Sequence, residues 1–173
     1  VLEESDVTDH IRLLASEYIS RANSKGIHYI IDIPEEKLLT FYDREKLEKV
    51  TTNLLSNAFK FTPTGGTVSC RLKIFKGRSG NMEPQIRLIV ADTGTGIPAS
   101  MQIRIFERFY RGEDDSSSYT EGSGIGLSLT RELVQVMHGE IAVKSKVGKG
   151  TVFLVTFPAG CAHLNQDEFV LKE

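Results

Sequence analysis

Apolar side chains near the start of the chain recur every three or four residues, which is the spacing of one helix face. The residues that form this series are Ile11, Leu14, Ala15, Tyr18 and Ala22. Gly26 follows the series and is a residue type that commonly ends helices. The pattern predicts one amphipathic helix that stops at Gly26.

A second helix is predicted to follow two strands. Residues 27–33 and 38–42 contain the β-branched and aromatic side chains that are typical of strands. A Pro-Glu-Glu turn at 34–36 separates them. Asp43 has the side chain of a helix N-cap, so the pattern predicts a helix from there to about Lys60.

Strand patterns return on both sides of a third predicted helix. Residues 68–75 and 85–91 alternate or run apolar, which predicts a long antiparallel pair. Helical spacing covers residues 124–137, and strand patterns over 140–145 and 151–157 follow. Three helices and six or seven strands, mostly in hairpin order, predict an α/β two-layer sandwich. Its mixed, largely antiparallel sheet would carry three main helices on one face.

The length and composition are those of one ordinary folded domain. The 173 residues are 40% hydrophobic and 25% charged. A chain of this length buries about 70% of the surface that it would expose when unfolded. We expect the domain to span residues 1–158. Residues 159–173 have too few apolar positions to form core and are predicted to be a C-terminal tail or linker.

Charge and hydropathy exclude several classes of function. The 21 basic and 23 acidic residues give a net charge of −2, which argues against a nucleic-acid partner. No apolar stretch reaches the roughly 18 residues of a membrane span, and no secretory pattern opens the sequence, so we expect a soluble, intracellular piece. Cys70 and Cys161 are too few for a disulfide framework or a zinc site.

One polar stripe runs along the second predicted helix. Asn53, Asn57 and Lys60 fall within about 60° of one another at 100° per residue, at the edge of the apolar face. Amide oxygens suit Mg²⁺, which usually takes only one or two ligands from the protein. Lys60 could contact phosphate. The alternative interpretation is a solvated helix face with two incidental asparagines.

Residues 92–98, DTGTGIP, follow directly on a predicted strand. Gly94 and Gly96 would let the backbone approach a ligand because they have no Cβ. The third glycine of a dinucleotide fingerprint is absent, and no P-loop motif occurs. Asp92 could accept a hydrogen bond from the adenine amino group, and its carboxylate would repel the guanine carbonyl. A tight turn without a ligand is the alternative.

Residues 122–127, GSGIGL, begin the third predicted helix. Glycines at a helix start leave N–H groups free to bind phosphate, although many helices begin near glycine. The polar segment 112–121 before them is predicted to be either a plain surface loop or a lid over a site.

Taken together, four ordered segments resemble the ATP-binding catalytic domain of sensor histidine kinases, in the GHKL superfamily. The segments are NLLSNAFKFTPTGG (53–66, the N box), DTGTGIP (92–98, the first glycine box), FERFYR (106–111, the F box) and GSGIGLSL (122–129) with GKGTVF (148–153), the later glycine boxes. The resemblance covers about residues 5–158 and implies the Bergerat-type ATP-binding fold.

The resemblance also implies which residues bind Mg-ATP. Asn57 would coordinate the Mg²⁺ ion, with Asn53 beside it. Lys60 would contact phosphate, and Arg111 would reach the γ-phosphate. Further contacts to the nucleotide would come from Phe61, Asp92, Gly94, Gly96, Ile97, Gly122, Gly124, Ile125, Gly126, Leu127 and Thr151.

The F box has two implied roles. Phe106 and Phe109 would anchor the lid by packing, which is a structural role. Arg108 is a weaker candidate than Arg111 for the γ-phosphate contact.

The family reaction transfers the γ-phosphoryl group of ATP to a histidine imidazole. The acceptor normally lies on a separate helical dimerisation domain, in the context H-[ED]-x-x-[TN]-P. None of the four histidines has this context: His10, His28, His138 and His163. The resemblance therefore implies that this chain is a monomeric catalytic piece of a homodimeric parent. The piece itself would lack its phosphorylation substrate.

The implied partners are that dimerisation domain and a response-regulator receiver domain. The implied location is the cytoplasmic portion of a membrane-anchored sensor. The tail GCAHLNQDEF (160–169) also resembles the connector to a receiver domain in hybrid kinases.

Two other classes of function remain open at this point. Gyrase-type ATPases carry a glutamate base one turn before the asparagine that binds Mg²⁺, whereas this sequence has Asn53 there. An amide is a poor general base, which favours transfer to a histidine over ATP hydrolysis. The alternatives are a GHKL ATPase or serine-kinase relative, and a non-catalytic module that changes its binding surface when ATP binds.

Overall fold

The fold is a five-stranded sheet with helices packed on one face. The computed structural model describes residues 2–75, 84–108 and 126–159. Its elements in chain order are β1 (Leu2–Asp6), α1 (Val7–Ser16), α2 (Ile19–Lys25), β2 (His28–Asp32), β3 (Leu39–Asp43), α3 (Arg44–Phe61), β4 (Thr67–Phe75), β5 (Gln85–Asp92), α4 (Ala99–Gln102), α5 (Gly126–Val136), β6 (Glu140–Lys146) and β7 (Gly150–Pro158).

The main sheet has the strand order β2-β4-β5-β7-β6, and β1 and β3 form a separate two-stranded sheet. Only the β2–β4 pair is parallel, and the other three pairs of the main sheet are antiparallel. The predicted mixed, largely antiparallel sheet in a two-layer sandwich is therefore confirmed.

The β4–β5 and β6–β7 hairpins join strands that are neighbours in the chain, as the sequence pattern predicts. The pairing of β3 does not follow this rule. The predicted strands at 27–33 and 38–42 are β2 and β3, but they do not pair with each other. β3 pairs instead with β1, which the sequence patterns did not predict because its residues, LEESD, show no apolar alternation. The Asp6 side chain joins these parts, since it accepts hydrogen bonds from Thr8 and from the Leu38 N–H.

The single helix predicted before Gly26 is wrong, because the chain forms two helices there. The break falls at Glu17 and Tyr18. Tyr18 is directed toward α3, where its ring stacks on Phe59 and its hydroxyl donates to the Thr52 carbonyl oxygen at 3.1 Å. Helical periodicity carries no information about such a tertiary contact. Gly26 does end α2, in the left-handed conformation, as predicted.

The hydrophobic core lies between the main sheet and the helices, and α3 occupies its centre. α3 packs against both α1 and α5 as well as against β4 and β5. Its Phe59 is fully buried and meets the ring of Tyr29 edge to face, with the ring centres 5.0 Å apart. Among the described helices, α3 is thus the one that contacts most of the remaining structure.

Both ends of α3 are closed by hydrogen bonds. At the start, the Asp43 carboxylate accepts the Lys46 N–H and pairs with the Lys46 ammonium, as an N-cap should. Burial alone would raise the pKa of Asp43, but the hydrogen bonds from Lys46 lower it to about 2. At the other end, the Thr62 hydroxyl and the Lys25 ammonium donate to carbonyl oxygens of the last turn.

The last strand ends at Pro158, as predicted. The next residue, Ala159, is buried and donates its N–H to the Pro84 carbonyl oxygen at 2.7 Å. The folded part of the chain therefore includes Ala159. The tail was predicted to begin at residue 159, so its start is wrong by one residue, and its remainder, residues 160–173, lies outside the described residues.

Replacing Asp43 by alanine removes the N-cap of α3 together with the ion pair to Lys46. We expect the free energy of unfolding at pH 7, measured by urea denaturation, to fall by about 1 to 2 kcal/mol. The carboxylate stabilises the fold above its ordinary pKa of 3.8 and loses this effect as the pH falls toward the folded pKa of about 2. The difference between variant and wild type should therefore shrink over that window.

The control for this prediction is Asp9→Ala, which removes a more exposed ion pair to Arg12. Its effect should stay below about 0.5 kcal/mol. Equal losses in the two variants would show that the cap of α3 has no special weight.

Candidate functional site

The polar stripe of α3 lies at the edge of the buried face, as predicted. Asn53, Asn57 and Lys60 are all half-buried. Among the described residues, the Asn57 amide has no hydrogen-bond partner. The Lys60 ammonium has no carboxylate partner there and lies 5.3 Å from the centre of the Phe61 ring. As far as residues 2–75, 84–108 and 126–159 show, one amide oxygen and one cation are available to a ligand along this edge.

Asn53 has a different environment from Asn57, although the sequence spacing makes them look equivalent. Its amide nitrogen donates to the Thr130 hydroxyl at 2.6 Å, and Thr130 donates in turn to the Gly126 carbonyl oxygen at 2.8 Å. A Cβ on Gly126 would lie 2.7 Å from the Asn53 amide oxygen. Asn53 thus fastens α3 to the first turn of α5, where Leu127 packs against the core.

Asp92 ends β5 as a half-buried carboxyl group. It accepts a hydrogen bond from the Gly94 N–H at 2.8 Å, and the backbone of Thr151 lies opposite it in the sheet. Burial raises the pKa of the Asp92 carboxyl above its ordinary value, although the backbone N–H groups of Gly94 and Thr151 act in the opposite direction. Thr151 is the β7 residue opposite Asp92 in the sheet register. The structure therefore brings two predicted site residues from distant motifs into contact.

The glycine turn after Asp92 lies against the end of α3 on one side and the β6–β7 turn on the other. A Cβ on Gly94 would lie 2.4 Å from the Phe61 carbonyl oxygen, and one on Gly96 would lie 2.1 Å from the Lys146 carbonyl oxygen. The Thr95 N–H points at the Phe61 carbonyl oxygen at 3.4 Å. Only glycine permits both approaches.

Two residues near this turn were missed by the sequence reasoning. The Ile97 N–H donates to the Ser145 hydroxyl at 2.7 Å, and the Gln102 side-chain amide donates to the Ile97 carbonyl oxygen at 2.8 Å. The one signal for Ser145 is its position in β6, where strand alternation places it on the same side as the apolar Ile141 and Val143.

The described part of the F box packs on the domain. The Phe106 ring meets Phe153 edge to face with 6.4 Å between ring centres, and the Arg108 guanidinium pairs with Glu132 at 2.7 Å. Several predicted site residues lie outside the described residues, and their roles stay predictions: Phe109, Arg111, Gly122, Gly124 and Ile125.

The side chains along this edge offer few ligands for the predicted Mg²⁺ ion. Within the described ranges, no group of three or more His, Cys, Asp or Glu side chains could hold a metal. What α3 offers is the Asn57 amide oxygen, which suits a Mg²⁺ ion that is completed by water and nucleotide phosphates. The residues present therefore fit an ion that arrives with its nucleotide.

The described residues contain no helix that is both long and apolar enough to cross a membrane.

A known family of ATP-binding domains matches most of the chain. The family model described as histidine kinase-, DNA gyrase B-, and HSP90-like ATPase matches residues 42–160. This range includes the polar stripe of α3, Asp92 with the glycine turn, and Thr151. The chain belongs to this family.

Its relatives narrow the class to the catalytic ATP-binding domains of two-component sensor histidine kinases. Sensor histidine kinase TmoS of Ectopseudomonas mendocina is 37% identical over 155 residues, which are 89% of this chain and 15% of TmoS. Hybrid signal transduction histidine kinase D of Dictyostelium discoideum is 36% identical over 163 residues, which are 94% of this chain and 10% of that protein. The chain thus spans a small part of these relatives.

A solved structure agrees with the fold. The crystal structure of full-length ShkA in complex with AMPPNP superimposes with a TM-score of 0.74 at 28% sequence identity. The match covers 91% of this chain and 31% of ShkA.

Gly96 and Gly148 give a matched test of the close approach at the glycine turn. Their φ angles are nearly equal, at +73° and +72°. The left-handed conformation should therefore cost an alanine about 1 to 2 kcal/mol at either position. A Cβ at Gly96 would also collide with backbone, whereas nothing lies within 4 Å of one at Gly148. We expect Gly96→Ala to lower the free energy of unfolding by roughly 2 kcal/mol more than Gly148→Ala in urea denaturation. Equal losses would contradict the steric constraint.

Proposed function

We propose that this domain binds Mg-ATP and donates the γ-phosphoryl group to a histidine on a separate dimerisation domain, as the catalytic part of a two-component sensor kinase. The observation that supports the proposal most is the Asp92 carboxyl group. It is half-buried, accepts the Gly94 N–H, and adjoins a glycine turn that packs on the end of α3.

Asp92 would recognise the base. A carboxylate fixed by backbone donors keeps unused lone pairs, which can accept the adenine amino group and would repel the guanine carbonyl. Partial burial strengthens such a hydrogen bond because water competes less. Gly94, Gly96, Ile97 and Thr151 would surround the same end of the nucleotide, with Phe61 against the adenine ring.

The stripe on α3 would receive the phosphates. Asn57 would coordinate Mg²⁺ through its amide oxygen, and Lys60 would bind phosphate. The bound ion would supply charge neutralisation to the transferring phosphoryl group. Gly126 and Leu127 at the start of α5 would lie beside the phosphates because Asn53 ties this turn to α3. Arg111, Gly122, Gly124 and Ile125 would complete the site.

Asn53 favours transfer to a histidine over hydrolysis. A hydrolase needs a base to activate water, and an amide cannot accept the proton. The Asn53 nitrogen is moreover already committed to Thr130. The chain's contribution would then be to position the nucleotide for an external acceptor. A GHKL ATPase and a non-catalytic ATP-dependent interaction module are the alternatives.

The proposed partners are the histidine-bearing dimerisation domain and a receiver domain of a response regulator. We place the domain in the cytoplasmic portion of a membrane-anchored sensor, with the remainder of the predicted tail, residues 160–173, as a linker. A monomeric domain would belong to a homodimeric parent.

Two measurements test the proposal. Calorimetric titration with AMPPNP, with and without Mg²⁺, should show binding that Mg²⁺ strengthens and that the guanine counterpart does not match. Incubation with ATP and the parent's dimerisation domain should then give a phosphorylated histidine. Phosphate release without that domain would favour an ATPase, and binding without any transfer would favour an interaction module.

Asn57→Ala should remove the Mg²⁺-dependent part of AMPPNP affinity and leave the fold intact. The residue lies at the edge of α3 and contributes no core packing. Asn23→Ala, which changes an exposed asparagine in α2, is the matched control and should leave both affinities unchanged. If Mg²⁺ strengthened AMPPNP binding equally in the Asn57 variant and the wild type, the assignment of Asn57 as the Mg²⁺ ligand would be wrong.

Nucleotide affinity should depend on the protonation of Asp92. Since burial raises its pKa above 3.8, the carboxylate should take up a proton, and lose its strength as an acceptor, at a higher pH than an ordinary aspartate does. AMPPNP affinity should therefore fall as the pH is lowered from 7. Asp92→Asn should bind roughly tenfold more weakly at pH 7 and should lack this component of the pH dependence. Parallel pH profiles for variant and wild type would count against the assignment.

A further inference from the structure

We infer that Ser145 is a positioning residue that fixes the glycine turn relative to Asp92, and that Gln102 assists Ser145. This inference rests on the proposed function, because it takes Asp92 as the group that recognises the base. It adds a determinant of nucleotide affinity that comes from β6, an element outside the proposed nucleotide contacts.

Ser145 is a polar residue at a position where the strand pattern calls for an apolar one. β6 alternates between exposed and half-buried residues, and Ser145 lies on the half-buried side. Its neighbours on that side, Ile141 and Val143, pack against the core. A hydroxyl turned toward the interior is stable only if it has hydrogen-bond partners.

The Ser145 hydroxyl has a partner for every hydrogen bond that it can make. It accepts the Ile97 N–H at 2.7 Å and donates to the Gly150 carbonyl oxygen at 2.8 Å. It also lies 2.9 Å from the Thr151 hydroxyl oxygen. Because Ser145 has one hydrogen to donate, the Thr151 hydroxyl is the donor in that contact.

These bonds join the two halves of the base-recognition site. Thr151 is the sheet partner of Asp92, and its backbone N–H lowers the pKa of the Asp92 carboxyl, so Ser145 contacts the residue next to the acid. Ser145 also holds Ile97, the residue that follows the glycine turn. One hydroxyl thus sets the distance between the acid and the turn.

Gln102 completes the support from the side of α4. Its amide nitrogen donates to the carbonyl oxygens of Ile97, at 2.8 Å, and of Ser145, at 2.9 Å. Both backbone groups of Ile97 are therefore held by side chains from outside the turn. A turn fixed in this way needs less ordering when a nucleotide binds, which increases affinity.

The test is Ser145→Ala, with Ser145→Thr as the conservative variant. Alanine leaves the Ile97 N–H and the Gly150 carbonyl without their partner. We expect the Ile97 amide hydrogen to exchange markedly faster in the nucleotide-free protein, as followed by NMR. We also expect AMPPNP affinity to fall about tenfold in calorimetry well below the melting temperature. Threonine retains the hydroxyl and should restore both.

The control is Lys144→Ala, on the same strand but exposed on the opposite side; it should change neither readout. A lowered melting temperature and faster Ile97 exchange with unchanged AMPPNP affinity would assign Ser145 a purely structural role and overturn the inference. Wild-type protein that binds no AMPPNP would overturn the proposed function, and this inference with it.

Discussion

The candidate site depends on how closely the turn after β5 lies against the end of α3. Gly94 faces the Phe61 carbonyl oxygen, and two residues later Gly96 faces the Lys146 carbonyl oxygen, both at distances where a Cβ would collide. This double contact leaves the turn little freedom. It holds Asp92, at the end of a strand, near the helix whose stripe bears Asn57 and Lys60.

The burial of Asp92 has opposite consequences for the free protein and for recognition. An ionised carboxylate with limited access to water is unfavourable, which is why the pKa of Asp92 is raised despite the hydrogen bond from Gly94. The same restricted access gives weight to whatever donor meets the carboxylate. Hydrogen bonds among Thr151, Ser145 and Gln102 and the backbone around them keep the Asp92 carboxyl in place. Apolar side chains could not supply these bonds.

Local chemistry in the sequence predicts much of this fold, but contacts between distant segments do not appear in it. The Asp43 cap, the Gly26 stop and the β4–β5 and β6–β7 hairpins follow from neighbouring residues, and all are present. The strand β1 follows from no local pattern, because it exists through its pairing with β3. Likewise, helical spacing groups Asn53 with Asn57, and only Thr130, 77 positions later, separates their environments.

The small β1–β3 ribbon has a mechanical consequence. β1 passes directly into α1, and β3 passes directly into α3, with no intervening residue at either junction. The hydrogen bonds of the ribbon therefore connect the N-terminal ends of α1 and α3. A change in the twist of the ribbon would therefore be transmitted along α3 toward the turns that bear Asn57 and Lys60.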